Sequence, residues 1–441
     1  MPPKKAAKKV EEEVPKKKIK VPQLLRGFRD IMPEEELYWA RIEEVITRIA
    51  QDYSFNRIRL PILEQTSLFE RSVGKGTDII DKEMFSFVDQ SNNKVVLRPE
   101  ATASVARAYI EHGMIDRPQP VKMWYEGPMF RHDRPQAGRY RQFWQFGLEA
   151  VGSKEPIIDA QIIIMCHQIL KELGLEVVFQ INSIGTPEIR REYEMELVAY
   201  FKQFRKQLSD IDKKRLTKNP LRLLDSKAEG MDELKIDAPQ IVDWLDDNSK
   251  EHFMKVLEYL DEMEVPYELN PFLVRGLDYY NKTVFEILPT KFEGKNANAI
   301  GGGGRYDGLI ELLGGREGTP AMGMAMGIER IVLAMKHQEV ELPNTRQVQV
   351  FFCQLGDAAR RTGLRVFDNF RTQGIPIAEA FGKGSLKAQL ELADKQGARV
   401  ALILGQKEVL DGTIIIRDME SGGQEIVDSA KVVEIVKKML K

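Results

Sequence analysis

Residues 127–149, GPMFRHDRPQAGRYRQFWQFGLE, set four arginines among phenylalanine, tyrosine and tryptophan, with a Pro-Gln-Ala-Gly hinge near the middle. Successive side chains of a β-strand point to opposite faces. Over 139–149, one face then carries Arg141, Phe143, Gln145, Gly147 and Glu149, and the other Tyr140, Gln142, Trp144, Phe146 and Leu148. The second face is mainly apolar and suits a core. The first combines a cation, a flat ring, an amide, a missing side chain and a carboxylate, a poor core and a good ligand wall. On the preceding strand Tyr125, Gly127, Met129 and Arg131 share a side. There Gly127 leaves room for something to lie against the backbone, and Arg131 can meet its anionic part. The reading is two strands within 121–151, joined by a polar turn at 134–138.

Outward from this hairpin, the chain has 441 residues, 43% hydrophobic and 30% charged. That describes a globular protein with a sizeable core and about two or three domains. No apolar run approaches the ~20 residues of a membrane span, and no apolar signal-peptide core follows the Lys- and Pro-rich start. Cys166 and Cys353 stand far apart and in no metal-ligand spacing. No disulfide framework or protein-held metal is expected, and a reducing cytoplasm is the expected compartment. The formal net charge of −2 gives no global basic field, though local basic patches can still bind a polyanion. Residues 1–20 hold eight lysines and three glutamates, a net +5, and read as a disordered tail, with a loose electrostatic arm for RNA as the sharper alternative.

Pro33 opens a helix with Glu34, Glu35 and Glu36 in its first turn, where the helix dipole favours negative charge. Strand-like runs at 57–61 and 94–98 and a helix at 102–112 follow. Residues 188–262 change style, with charged helical patterns such as EIRREYEMELVAYFKQFRKQL, and read as a helical insertion. Strand character returns at 283–288, followed by the glycine cluster IGGGGRYDGL and a helix through 326–335. The insertion thus interrupts one β-rich domain spanning 21–345. From 346 to 441, the apolar strands QVQVFFC and RVALIL alternate with helices and indicate a separate α/β domain.

Four further clusters resemble the hairpin in chemistry. LRPEATAS carries Glu100 and Thr102; LVRGLDYYNKTVFEI carries Arg275, Asp278, Tyr279 and Tyr280; GGGGRYDGL carries Arg305, Tyr306 and Asp307; GMAMGIERIVLA carries Arg330. Each has a plainer explanation: Glu100 as a helix N-terminal charge, Tyr280 as a core tyrosine, residues 301–304 as a flexible turn, Asp278 as structural. The glycines form neither a Walker loop, since no Gly-Lys-Ser/Thr follows, nor a dinucleotide-binding turn in its βα context.

In combination these stretches resemble the histidyl-tRNA synthetases, a family of class II aminoacyl-tRNA synthetases. Residues 127–149 look like class II motif 2, AMGMAMGIERIVLAM like motif 3, and residues 27–61 like motif 1; LVRGLDYYNKTVFEI and GGGGRYDGL resemble the two histidine-specific signatures. The resemblance implies an α+β fold. Its catalytic domain is an antiparallel β-sheet flanked by helices, with a helical insertion and a C-terminal α/β anticodon-binding domain. It further implies a homodimer that joins L-histidine to ATP, with Mg²⁺, and passes the histidyl group to the 3′ end of histidine tRNA.

The resemblance also assigns residues. Arg131 and Arg330 would contact ATP phosphates, Arg275 the reacting carboxylate and phosphate, Phe143 the adenine, and Asp133 a position near adenine where the family more often has Glu. Glu100, Thr102 and Gln145 would receive the α-ammonium group. Glu149 and Tyr280 would serve the imidazole, with Tyr279 and Tyr306 lining the pocket. Arg134 and Gln136, in the turn, would face the acceptor end of the tRNA. A regulatory paralogue assisting ATP phosphoribosyltransferase is the rival, and retention of Arg131, Arg275, Arg330 and the C-terminal domain argues against it.

Overall fold

The alternation read from residues 127–149 becomes two ten-residue strands, Val121–Phe130 and Gln142–Val151, paired antiparallel throughout. A computed structural model describes residues 21–72, 79–136, 138–290, 299–342, 348–380, 382 and 384–440. The lysine-rich tail and the expected 345/346 boundary lie outside the described residues.

The hairpin sits in an eight-stranded sheet. In chain order its strands are β1 (Asn56–Arg57), β2 (Val121–Phe130), β3 (Gln142–Val151), β4 (Val177–Ser183), β5 (Tyr267–Leu269), β6 (Asn281–Pro289), β7 (Gly301–Arg305) and β8 (Ala321–Gly327). Their spatial order is β1-β2-β3-β8-β7-β6-β4-β5. The inner pairs are antiparallel, as expected. The two short edge strands, β1 and β5, pair parallel, so the whole sheet is mixed.

Helices cover the sheet: α1 (Pro33–Asp52), α2 (Thr102–Glu111), α3 (Pro156–Glu172), α4 (Pro187–Gln203), α5 (Asp210–Lys218), α6 (Met231–Ile236), α7 (Asp247–Glu262) and α8 (Ile328–His337). α3 is apolar on nearly every side because it packs between α1, α7 and β8. Each fully buried Ile or Leu on it contributes ~1.5–3 kcal/mol. A buried charge cluster ties it down. The Asp159 carboxylate accepts from Arg305, again through an Nε contact at 3.1 Å, and meets His252 Nε2 at 2.8 Å. His252 stands on α7, so the last helix of the 188–262 stretch belongs to the layer under the sheet.

Three expectations shift. The run at 57–61 is strand only at Asn56–Arg57. The helix expected from Met326 begins at Ile328, since 321–327 forms β8. The glycine cluster at 301–304 is not a turn but a central strand.

Contacts divide the chain into two units, one ending at Glu341 and one beginning at Leu342. The second holds a five-stranded sheet of β9 (Val350–Gln354), β10 (Ile377–Glu379), β11 (Val400–Leu404), β12 (Thr413–Asp418) and β13 (Gln424–Asp428), ordered β10-β9-β11-β12-β13. β9 pairs parallel with β10 and β11, as the alternation of strand and helix requires, and an antiparallel meander completes it. It has its own core, including Val350, Phe352, Leu402 and Val436.

Candidate active site

Sheet register creates a trough. Read across the strands, one row on the ligand face is Tyr125, Gly147, Ala325, Gly302 and Glu286; the next is Met123, Glu149, Gly323, Gly304 and Val284. The middle positions lack bulk, and neighbouring side chains fill the space. A Cβ at Gly302 would stand 2.8 Å from Arg275 Nη1, and one at Gly304 2.9 Å from the Tyr280 ring. A Cβ at Gly323 would strike the Glu149 carboxylate, and one at Gly147 the Tyr125 ring. Gly127 behaves likewise. The room expected there for a ligand is taken by the guanidinium of Arg98, which donates to the carbonyls of Pro128 (3.0 Å) and Leu60 (3.1 Å). A strand glycine at this spacing signals close approach, but not whether ligand or protein approaches.

Above the trough lies a cavity of about 530 Å³. Arg131 and Arg139 of the hairpin, with Arg275 and Arg330 from far along the chain, all line it. Arg131 donates through Nε to the Pro99 carbonyl at 2.8 Å, and its guanidinium lies 5.5 Å from the centre of the Phe143 ring. Arg330, near the start of α8, is held by the carbonyls of Ala299 (2.5 Å) and Gly138 (3.3 Å). Burial, and then the charges of Arg139 and Arg131, push its pKa down to about 10. Guanidiniums that repel one another this closely form a site complementary to a polyanion. Arg275 pairs with Glu286 at 2.9 Å, while its buried Nε has no hydrogen-bond partner.

The other end of the cavity is polar and lined by tyrosines. Glu100 accepts from the backbone N–H of Thr102 (2.6 Å) and Ala103 (3.1 Å), so it does cap α2, and it also lines the cavity. Burial raises its pKa, against those N–H groups and Arg131. Thr102, Gln145, Tyr279 and Tyr280 line the cavity too. Arg275 and Tyr280 are five residues apart and would face opposite ways on a continuous strand; both reach the cavity because 275–280 is irregular and ends where β6 begins.

Glu149 and Tyr306 lie one layer deeper than expected and are not on the cavity wall. The Glu149 carboxylate is buried and accepts from Thr102 Oγ1 at 2.7 Å and the Tyr306 hydroxyl at 2.5 Å. Burial drives its pKa up to about 8, against those two hydrogen bonds and helped by the nearby Glu100 charge. Beside it, the Tyr125 hydroxyl and the Gln145 side-chain oxygen are buried without a formed hydrogen bond. Orphaned buried polar atoms are uncommon in folded proteins. Three of them, on Tyr125, Gln145 and Arg275, belong to residues lining this one cavity.

The turn after β2 is longer than expected, 131–141, because both strands stop short of their arginines. Alternation therefore fails at its mouth: Tyr140 lines the cavity, whereas the Arg141 stem packs under Gly27. Asp133 lines the cavity and pairs with Arg139 at 3.3 Å. Arg134 and Gln136 stay outside, and Gln136 and Arg139 exchange backbone hydrogen bonds at the tip. Trp144 faces the core, edge-on to Trp39 at 5.9 Å. Its backbone N–H donates to Glu329, whose carboxyl burial raises to about 7.

Sequence reading missed Glu286 and Glu329 as cavity residues, and Arg215 and Arg222 of the insertion. Strand parity did place Tyr125 on the side of Arg131, and both line the cavity. Nothing local marks the two insertion arginines.

Comparison with known proteins agrees with this geometry. A family model described as histidyl-tRNA synthetase matches residues 27–331, and one described as anticodon binding domain matches 347–439. The apo histidyl-tRNA synthetase of S. aureus is 35% identical, covers 95% of this chain and 100% of its own, and superposes with a TM-score of 0.79. A histidyl-tRNA synthetase from Nostoc sp. PCC 7120 (21% identity; 95% and 100% covered; TM-score 0.67) shares the fold. So does an ATP phosphoribosyltransferase regulatory subunit/histidyl-tRNA synthetase from Bacillus halodurans (22%; 86% and 97%; 0.62).

Proposed function

Since the chain belongs to the histidyl-tRNA synthetase family, we propose the following division of labour among its residues. The enzyme is a histidine–tRNA ligase, activating L-histidine with ATP to histidyl-adenylate and pyrophosphate and then charging histidine tRNA. The observation that carries the reading is the single cavity in which widely separated arginines meet a tyrosine-lined polar pocket with unpaired buried hydrogen-bonding atoms.

In the first step a histidine carboxylate oxygen attacks the α-phosphorus of ATP as the bond to pyrophosphate breaks. Both reactants are anions, and the site's work is positioning and charge stabilisation. Phe143 stacks on adenine and Asp133 lies near it. Arg131 grips the α-phosphate beside that ring, and Arg330 takes the terminal phosphate. Arg275, which lines the same cavity, meets the carboxylate and phosphate that react. No side chain serves as a nucleophile. Among the described residues no cluster of three acidic, His or Cys side chains forms a cage for a metal. Mg²⁺, which takes most of its shell from phosphates and water, fits a cavity lined by the carboxylates of Glu83 and Glu286. When bound it neutralises phosphate charge.

For the amino acid, Glu100, Thr102 and Gln145 receive the α-ammonium group. Tyr280 and Glu149 serve the ring nitrogens, Glu149 from the second layer, with Tyr279 and Tyr306 enclosing the pocket. Polar groups left unpaired by an apolar amino acid supply rejection, which can reach about 10⁴–10⁵. Arg134 and Gln136 face the acceptor end of the tRNA.

Two coarser properties complete the reading. Homodimerisation is supported by exposed apolar side chains near the motif 1 region, including Leu24, Leu25, Met32, Leu63, Phe87 and Val88. A cytoplasmic location is supported by the family and by buried, unpaired Cys166 and Cys353. ATP–pyrophosphate exchange with each of the twenty amino acids tests the central claim. Exchange with histidine alone is expected, and folded protein that exchanges with none or with another amino acid refutes it.

A further inference from the structure

Residues 275–280 carry Arg275, Tyr279 and Tyr280, yet the segment is neither helix nor strand. Its backbone carbonyls need partners, and side chains of the insertion supply them. Arg190, in the first turn of α4, donates through Nη1 to the Tyr280 carbonyl at 2.9 Å and to the Asp278 carbonyl at 3.3 Å. Asn219 donates to the Asp278 carboxylate at 3.2 Å, and Arg222 reaches the Gly276 carbonyl at 3.4 Å. Behind the segment lies a second cavity of about 230 Å³, lined in part by Arg190, Glu194, Asn219 and Asp278. Ile184, Leu221, Val274 and Leu277 line the same cavity, so apolar contacts hold the side chains of the turn while its backbone carbonyls turn to polar partners. Apolar contacts do not fix the direction of a backbone carbonyl; its hydrogen bonds do, and those from a charged donor are the strong ones. Arg190 is half-buried and joins two carbonyls two residues apart, so it sets both the height and the tilt of the chain entering β6.

We propose that Arg190 is a positioning residue for histidine activation, through which the helical insertion holds Tyr280 in register with the amino-acid pocket. The assignment rests on the functional reading above and adds to it that the insertion is part of the amino-acid site. The ATP contacts argued for Phe143, Arg131 and Arg330 lie on other elements; Arg275 shares the segment but stands at its far end, five residues from the Tyr280 carbonyl that Arg190 holds.

The test is histidine-dependent ATP–pyrophosphate exchange by the full chain carrying Arg190→Ala or Arg190→Lys, with KM for each substrate measured separately and thermal unfolding recorded. For Arg190→Ala, KM for histidine is expected to rise about ten- to hundred-fold, the scale of a lost charge-assisted hydrogen bond. KM for ATP should stay within about two-fold in the same scale of reckoning. Arg190→Lys, which keeps the charge but serves one carbonyl at a time, should fall between and covers the case in which the alanine variant does not fold. An unchanged KM for histidine, or a parallel loss for both substrates with a lowered Tm, overturns the assignment. A wild-type chain without histidine-dependent exchange overturns the functional reading itself; an active wild type matched by Arg190→Ala overturns only this step.

Discussion

Arg275 shows how a residue's role depends on what it leaves unpaired. One nitrogen is committed to Glu286, and the buried Nε has no hydrogen-bond partner. Replacing Arg275 by alanine should lower the rate of adenylate formation by about 10²–10³, the range for removing one preorganised donor to a developing charge. Circular dichroism and the unfolding midpoint should change little, because the side chain rests on Gly302 rather than within a core. Rates equal to wild type in single-turnover assays would refute the role. Glu149 allows a test through pH. Its folded-state pKa, raised to about 8 by burial, exceeds the ordinary carboxylate value. Its favourable contribution is therefore complete below that ordinary value and is lost as pH rises through about 8. Glu149→Gln keeps the shape and removes the titration. In the absence of histidine, the variant should gain stability relative to wild type as pH goes from 6 to 9 on a scale of roughly one pKa unit per 1.4 kcal/mol. Histidine binding by calorimetry should weaken, with ATP binding retained.

At the level of elements, the glycines of β7 and β8 are what make the site possible. Each strand has neighbours on both sides, so a side chain there would meet protein rather than solvent. At Gly302 an added Cβ would lie 2.5 Å from the Phe285 carbonyl and 2.8 Å from Arg275 Nη1. The backbone oxygen cannot yield as a flexible side chain can. Gly302→Ala should thus cost ~1–3 kcal/mol in denaturant unfolding, as overpacking does, and displace Arg275. Exchange activity should fall by more than the stability loss explains; full activity would show that the strand shifts freely. The hairpin and helices were legible locally, because periods of 2 and 3.6 belong to the chain itself. The identity of 301–304 as a strand was not, because glycine carries no strand propensity. Only pairing with β6 and β8 makes it one.

For the whole molecule, the small sheet of Leu63–Gln65, Phe85–Val88 and Lys94–Leu97 leaves Leu63, Phe87 and Val88 exposed on its outer strands. Scattered apolar residues are normal on a surface. A set confined to one sheet next to the exposed residues 24, 25 and 32 fits burial against a second copy. Sedimentation velocity should give a dimer, and Phe87→Glu with Leu63→Glu should shift it toward monomer. A wild-type monomer at micromolar concentration would refute the dimer. The second unit needs no such partner for its core, which Val350, Phe352, Leu402 and Val436 fill from within.

Much of the chemistry was readable before any fold was known. Alternation sorted Phe143, Gln145 and Glu149 from Trp144, Phe146 and Leu148, since a strand's two faces follow from its covalent geometry. The motifs carried the family, and Arg131, Arg275 and Arg330 emerged as separate arginine-bearing clusters of one character. Tertiary structure alone decided how these meet. Register across β2, β3, β8, β7 and β6 placed glycines side by side, and the vacancies at Gly127 and Gly147 went to Arg98 and Tyr125 instead of a ligand. It set Glu149 behind the cavity wall and brought Arg190 and Arg222 of the insertion to the segment that bears Arg275. The period of a strand is local and survives in the sequence. The partner of a glycine, and the carbonyl that an arginine reaches ninety residues away, depend on the whole sheet.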